Sequence, residues 1–178
     1  MTGLLAFTVL VALVGLERVA ELVVSTRNAA WSRERGGVES GLGHFPFMVV
    51  LHTGLLVGAL VEAWVRRPDV PPLLAWSMLA LVVASQALRW WCIATLGRRW
   101  NTRVIVVPGL APVRSGPYRL MRHPNYVAVV VEGVALPLVH AAWVTALVFT
   151  VLNAVLLAVR IRVEDAALST LPSGAGGA

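Results

Sequence analysis

Lysine is missing from this 178-residue chain, so all fifteen basic residues are arginine. Charge is scarce altogether: 13% of residues are charged against 58% hydrophobic, and the mean hydropathy is +0.77. That balance excludes an ordinary soluble domain and makes a polytopic membrane protein the expectation. A single cysteine, Cys92, excludes an internal disulfide and a cysteine-based metal site. No His-x-x-x-His or Cys-x-x-Cys pair supports a metal either. The chain also lacks a Gly-x-Gly-x-x-Gly turn after a strand, and indeed any convincing strand pattern, which argues against a Rossmann domain. The apolar N-terminus has no basic leader and no small-residue cleavage site, so it reads as a retained first helix.

Apolar length is plentiful. A bilayer core needs about 20 apolar residues per helical span, and Gly3 to Val24, Phe45 to Val65, Leu73 to Leu96 and a long run from Tyr126 to Val159 qualify. The last run is long enough to go in and come back, with a break at Pro137. The expected fold is all-α: a polytopic membrane protein with five transmembrane helices, the last two forming a helical hairpin. Residues 1–172 read as one integral-membrane domain, and 173–178 as a disordered Ser-Gly-Ala tail. A formal charge of +6 raises the question of nucleic acid. The arginines lie mainly between the apolar runs, however, as the positive-inside rule places cytoplasmic loops. Putting the Arg-rich connection from Gly97 to Pro124 in the cytoplasm predicts an outside N-terminus, a cytoplasmic C-terminus and no nucleic-acid partner. Its prolines and glycines predict an ordered series of turns.

The most polar part of that connection is Gly116-Pro117-Tyr118-Arg119-Leu120-Met121-Arg122-His123-Pro124-Asn125-Tyr126. Gly116-Pro117 signals a turn, and Pro124 suits the first turn of a helix. Arginines there can hold a carboxylate or phosphate in bidentate fashion, and aromatic faces attract a cation. Residue types alone fit an interfacial belt equally well, because Tyr and Arg anchor helix ends in many membrane proteins. Trp90, Trp91 and Trp100 carry the same two readings, as a lipid entrance or as interfacial anchors.

Order distinguishes the two. Val113-Arg114-Ser115-Gly116-Pro117-Tyr118-Arg119-x-x-Arg122-His123-Pro124-x-Tyr126, followed one hairpin later by Arg160-Ile161-x-x-Glu164-Asp165-x-x-Leu168, resembles the isoprenylcysteine carboxyl methyltransferase family. The resemblance implies an integral-membrane methyltransferase that uses S-adenosylmethionine without a Rossmann domain. It further implies a cytoplasmic-side pocket for the cofactor, and a lipophilic substrate that arrives from the bilayer. Tyr118, Arg122, His123, Pro124, Asn125 and Tyr126 would contact the cofactor, with Arg160 and Glu164 closing the site. Asp165 stands where the family often has Glu, Ala128 where many members have Gly, and the usual aromatic continuation after the second motif is replaced by Ser169-Thr170-Leu171-Pro172.

Two further polar sets stand out. Glu132 lies in the middle of the fourth helix, where a charged acid costs on the order of 2.5 to 3.5 kcal/mol on insertion scales. It is expected to border the acceptor pocket and help take the acceptor proton, or else to pair with Arg89. Glu17, Arg18, Glu21, Asn28, Trp31, Glu39, His44 and His52 form an N-terminal pattern, with His44, Met48 and His52 on one helical stripe. That pattern resembles a bacterial branch of the family, the alkylpyrone and alkylresorcinol O-methyltransferases of type III polyketide pathways. The expected activity is therefore methyl transfer to an oxygen of a lipophilic acceptor, either a phenolic or enolic hydroxyl or a prenylcysteine-like carboxylate. An NADPH-dependent membrane reductase of the sterol-reductase type, which shares the first motif, and a non-enzymatic scaffold binding anionic lipid are the alternatives.

Overall fold

The computed structural model describes residues 1–41, 43 and 45–171. His44, and with it one end of the His44–Met48–His52 stripe, lies outside them, as does the tail 173–178. Five α-helices make up most of the fold: α1 (Thr2–Arg33), α2 (Phe45–Arg66), α3 (Pro72–Leu96), α4 (Pro124–Leu138) and α5 (Trp143–Leu168). Four of them, α1, α2, α3 and α5, are long and apolar enough to cross a membrane.

The fifth helix differs from a full span. With 15 residues, α4 rises only ~22 Å at 1.5 Å per residue, short of the ~30 Å hydrocarbon core. Its surroundings explain why a short helix suffices. Ten of its residues, among them Tyr126, Glu132 and Leu136, are buried, and it packs against α2, α3 and α5. It therefore meets other helices more than lipid. Pro137 falls in its last turn rather than breaking it earlier, because the lost donor is near the helix end where the chain turns anyway. Ala141 then takes a positive φ of 52° before α5 begins.

Two expectations are corrected. The first helix does not stop near Val24 but continues to Arg33, so the first part of the expected loop is helical. Asn28 supports the extension: its side-chain amide donates to the carbonyls of Gly97, at 3.2 Å, and Trp100, at 2.7 Å. Nor is the protein wholly helical. Strand β1 (Val38–Ser40) pairs antiparallel with β2 (Val104–Val106), Glu39 opposite Ile105. Three-residue strands carry too little alternation to be read from sequence. Arg33 and Arg103 both hold Glu39, at 3.0 and 2.8 Å, fixing this ribbon to the end of α1. Burial raises the Glu39 carboxyl, but the hydrogen bonds from Arg103 and Arg33 outweigh it and hold it below the usual carboxylate range. The rest of the connection follows as 3-10 turns at Gly97–Arg99 and Gly116–Arg119.

Apolar packing at one end of the bundle joins Phe7, Val11 and Val14 of α1 to Ala59, Val82 and Leu136 of the next three helices. Between α4 and α5 the contact is closer still. A Cβ at Gly133 would run into the Phe149 ring. Gly133→Ala is therefore expected to lower stability by about 1–3 kcal/mol through overpacking, visible as a reduced thermal midpoint in detergent. An unchanged midpoint would show that the two helices separate freely.

Candidate active site and its relatives

Two features bring the motifs together. Pro124 starts α4 at its first turn, which sets Tyr126 on the inner face. The second motif is part of α5 itself, so Arg160 and Glu164, four residues apart, share a face one turn from each other. Tyr126 then accepts a hydrogen bond from Arg160 Nε at 2.8 Å and donates its own hydroxyl proton to Glu164. The Arg160 guanidinium also lies 5.6 Å from the centre of the Tyr126 ring. His123 stacks on the same ring at 5.4 Å.

Around this core, Asp165 Oδ1 is 3.2 Å from His123 Nε2 and 3.2 Å from Arg122 Nη2. The shorter acid thus has two partners. Glu164 Oε1 stands 3.7 Å from His123 Nδ1. Together Glu164 and then Asp165 raise the His123 pKa above the ordinary imidazole value, against the lowering effect of burial. Burial also pushes the Tyr118 hydroxyl well above the usual phenol range. Tyr118 remains a neutral donor.

His123, Arg122, Tyr118, Arg160, Glu164 and Asp165 line one cleft of about 670 Å³, closed on another side by β2 and the segment after it. That volume is within the ~300–1,000 Å³ of ordinary ligand sites. A second, smaller chamber of about 150 Å³ lies between α1, α2, α4 and α5, and Arg160 and Asn101 line both spaces. Tyr126 and Asn125 face the smaller one. Pro124 is fully buried and acts on helix geometry rather than lining either space.

Glu132 is buried and lines neither space. Its carboxylate lies 2.8 Å from Arg89 and 3.6 Å from Arg18, and these arginines face the chamber in its place. Arg18 Nη1 is also 2.9 Å from Glu21. Trp90 and Trp91 are partly exposed, whereas Trp100 is buried and lines the chamber. Asn101 and Asn153 were not among the sequence candidates. The signal for Asn153 is an amide in an otherwise apolar stretch of α5, which in a membrane seeks a partner or a cavity.

This is a helical membrane protein whose polar side chains converge on paired cavities. Residues 78–170, just over half of the chain, match the model of the isoprenylcysteine carboxyl methyltransferase family. The chain belongs to that family. An uncharacterized protein, YpbQ, of Bacillus subtilis (strain 168) is 38% identical over 91% of this chain and 96% of its own length. An uncharacterized protein of Haemophilus influenzae (strain Rd) is 26% identical over 86% of this chain and 90% of its own length. No solved structure matches.

The raised His123 pKa fixes the sign of a pH effect. Protonated His123 contributes stability that is full below the unfolded imidazole value of about 6.5 and is lost as pH rises through the higher folded value. The thermal midpoint of the wild type should therefore exceed that of His123→Gln most in acid, and the gap should close on the alkaline side. A gap that widens with pH would contradict the ion pairing.

Proposed function

We propose that the protein is an S-adenosylmethionine-dependent O-methyltransferase acting on a lipophilic acceptor that reaches the site from the bilayer. The observation that carries this is the junction of the family's two motifs, where Tyr126, Arg160 and Glu164 form a wall shared by a polar cleft and a smaller chamber. Family methyltransferases use S-adenosylmethionine, and the larger cleft offers groups that suit it. Glu164 or Asp165 can accept from ribose hydroxyls or an amino group and attract a positive centre, and Arg122 can hold a carboxylate. Tyr118 lines the same cleft as a neutral donor, and the Asn125 backbone follows His123 at the start of α4.

When bound, the cofactor supplies an electrophilic methyl group on a positively charged sulfur. The chain's own residues orient and shield. Arg160, held by Tyr126, faces both spaces and fixes the acceptor oxygen relative to the methyl; alignment of this kind in a water-poor site contributes up to about 7–11 kcal/mol in intramolecular systems. Glu132 is a positioning residue in this reading, acting through Arg89 and Arg18. The acceptor is a phenolic or enolic hydroxyl on an alkyl-bearing molecule, in keeping with the N-terminal resemblance. The positive-inside rule, applied to the arginine-rich connection, supports a cleft and C-terminus on the cytoplasmic side, with the N-terminus outside.

Calorimetry in detergent tests the cofactor site. S-adenosylhomocysteine should bind the wild type, and Glu164→Ala should weaken it about 10- to 100-fold, the worth of a charged hydrogen bond of about 1.5–3 kcal/mol. Labelled S-adenosylmethionine incubated with protein and a lipid extract should yield a methylated lipid by mass spectrometry. Cofactor binding with no labelled lipid would count against an enzyme, and NADPH binding in place of S-adenosylhomocysteine would favour a reductase.

A further inference from the structure

Among the described residues, buried polar atoms without a hydrogen-bond partner belong to residues that line the smaller chamber, with one exception. That exception is His140 Nδ1, at the other end of the bundle in the turn between α4 and α5. The turn is fixed: Ala142 N donates to the Pro137 carbonyl at 2.9 Å. The His140 ring packs on Phe7, in the second turn of α1, with centroids 5.3 Å apart. His140 lines a groove of about 580 Å³ between the first residues of α1 and the start of α3. This volume falls within the ~300–1,000 Å³ of ordinary ligand sites, and the groove shares no residue with the cleft or the chamber.

Its lining changes character from one end to the other. Leu4, Leu5 and Leu10 of α1 and Leu79 of α3 give apolar walls; Leu4 to Leu10 rises ~9 Å at 1.5 Å per residue, room for the first part of an acyl chain. Trp64 and Trp76 are exposed along the groove, as tryptophans are at headgroup depth. The connection from Arg67 to Val70 forms the polar rim. Arg67 has a φ of 43°, a left-handed conformation just past the end of α2, where glycine is the usual residue. An arginine there accepts strain that glycine avoids and keeps a guanidinium at the rim. Its Nε donates to the Trp64 carbonyl at 3.2 Å, which leaves the two Nη groups for a ligand. Arg66 is held by Glu62 at 2.8 Å, whereas neither Arg67 nor Asp69 has an ion-pair partner among the described residues.

We propose that this groove binds a membrane phospholipid with a zwitterionic, primary-ammonium headgroup, in the leaflet opposite the cleft. Arg67 holds the phosphate in bidentate fashion, and Asp69 accepts from the ammonium. Opposite charges two residues apart, and not paired with each other, are complementary to a headgroup that carries the same two signs. An anionic headgroup satisfies Arg67 but brings Asp69 no cation. With its proton on Nδ1, His140 donates to the ester carbonyl that joins headgroup to chain, which gives the unpaired atom a partner. One acyl chain then lies along α1 between Leu4 and Leu10. Bound in this way, the lipid joins α1, the α2–α3 connection and the α4–α5 turn, and so steadies the bundle from the end remote from the cleft. The site is independent of the activity proposed above.

Native mass spectrometry of the full chain in detergent, titrated with phosphatidylethanolamine or phosphatidylglycerol of identical acyl chains, tests the site. One phosphatidylethanolamine should bind about fivefold more tightly than phosphatidylglycerol. Asp69→Asn should erase that preference, and Arg67→Gly should weaken both lipids about tenfold. His140→Phe, which keeps a ring against Phe7, should weaken both a few-fold. Because glycine suits the left-handed backbone, Arg67→Gly should hold or raise the lipid-free thermal midpoint, which separates a ligand contact from a structural role. A phosphatidylethanolamine with a diazirine in its acyl chain should label α1 between Met1 and Leu10 and α3 near Leu79. Free phosphoethanolamine, which has the headgroup without the chain, should not bind. Equal affinity for the two lipids in the wild type, or many bound copies indifferent to Arg67→Gly, shows an annular shell only and overturns the site. Labelling spread evenly over the helices overturns it as well, and so does free phosphoethanolamine binding as tightly as the lipid. The labelling needs only the wild type, so it decides the matter even if the variants fail to fold.

Discussion

An arginine inside an apolar helix must find an acid, and Arg89 does so on two other helices at once. Glu132 on α4 meets it at 2.8 Å and Glu21 on α1 at 3.7 Å, while Arg18 bridges the same two acids from α1. Gln86 extends the set by donating to Glu17 and accepting from Arg18. Removing one member of a buried pair typically costs about 3–5 kcal/mol, since the other charge is left stranded. That cost ties α1, α3 and α4 into one arrangement, and everything nearer the connection is built on it. The pairing is also incomplete. Charges locked together across helices leave directional donors and acceptors unfilled, and that residue of polarity lines a chamber rather than a sealed core.

Above that layer, Tyr126 performs a different task. Its hydroxyl lies between a cation and an acid, accepting from Arg160 and donating to Glu164, so one side chain positions both ends of the α5 motif. The consequence is a partition. Glu164 and Asp165 look toward the larger cleft with His123 and Arg122, while Tyr126 and Asn125 look toward the chamber, and Arg160 touches both. A group-transfer enzyme needs two ligands to meet along one line without water between them, and a shared wall of fixed hydrogen bonds provides such a meeting point.

The family match covers residues 78–170, yet the B. subtilis relative aligns over 91% of the chain. The first two helices are therefore part of the common unit. The structure gives them a physical reason to be. Without α1 the Arg89 and Glu132 pair would lose Glu21 and Arg18, and the connection would lose the anchoring of Asn28 on Gly97 and Trp100. Without α2 the chamber would have no wall at Met48, Val49 and His52.

The helical class, the four long spans and the two motifs were legible in the sequence, because apolar length and residue order are local properties that need no partner to be recognised. The same is true of Pro124 as a helix start and of the turns between Gly97 and Pro124. Which polar groups meet was not legible. Nothing local decides whether Glu132 pairs with Arg89 or faces a substrate, adds Arg18 to that pair, says that Asn101 and Asn153 converge from different elements, or shows that a three-residue strand, β2, walls the larger cleft. Helix α4 illustrates the limit best: its apolar run reads as a span, but only its burial among α2, α3 and α5 shows why so short a helix suffices. Sequence determines what each segment can do in water or lipid; the angles and offsets at which helices pack decide which of those capacities face one another.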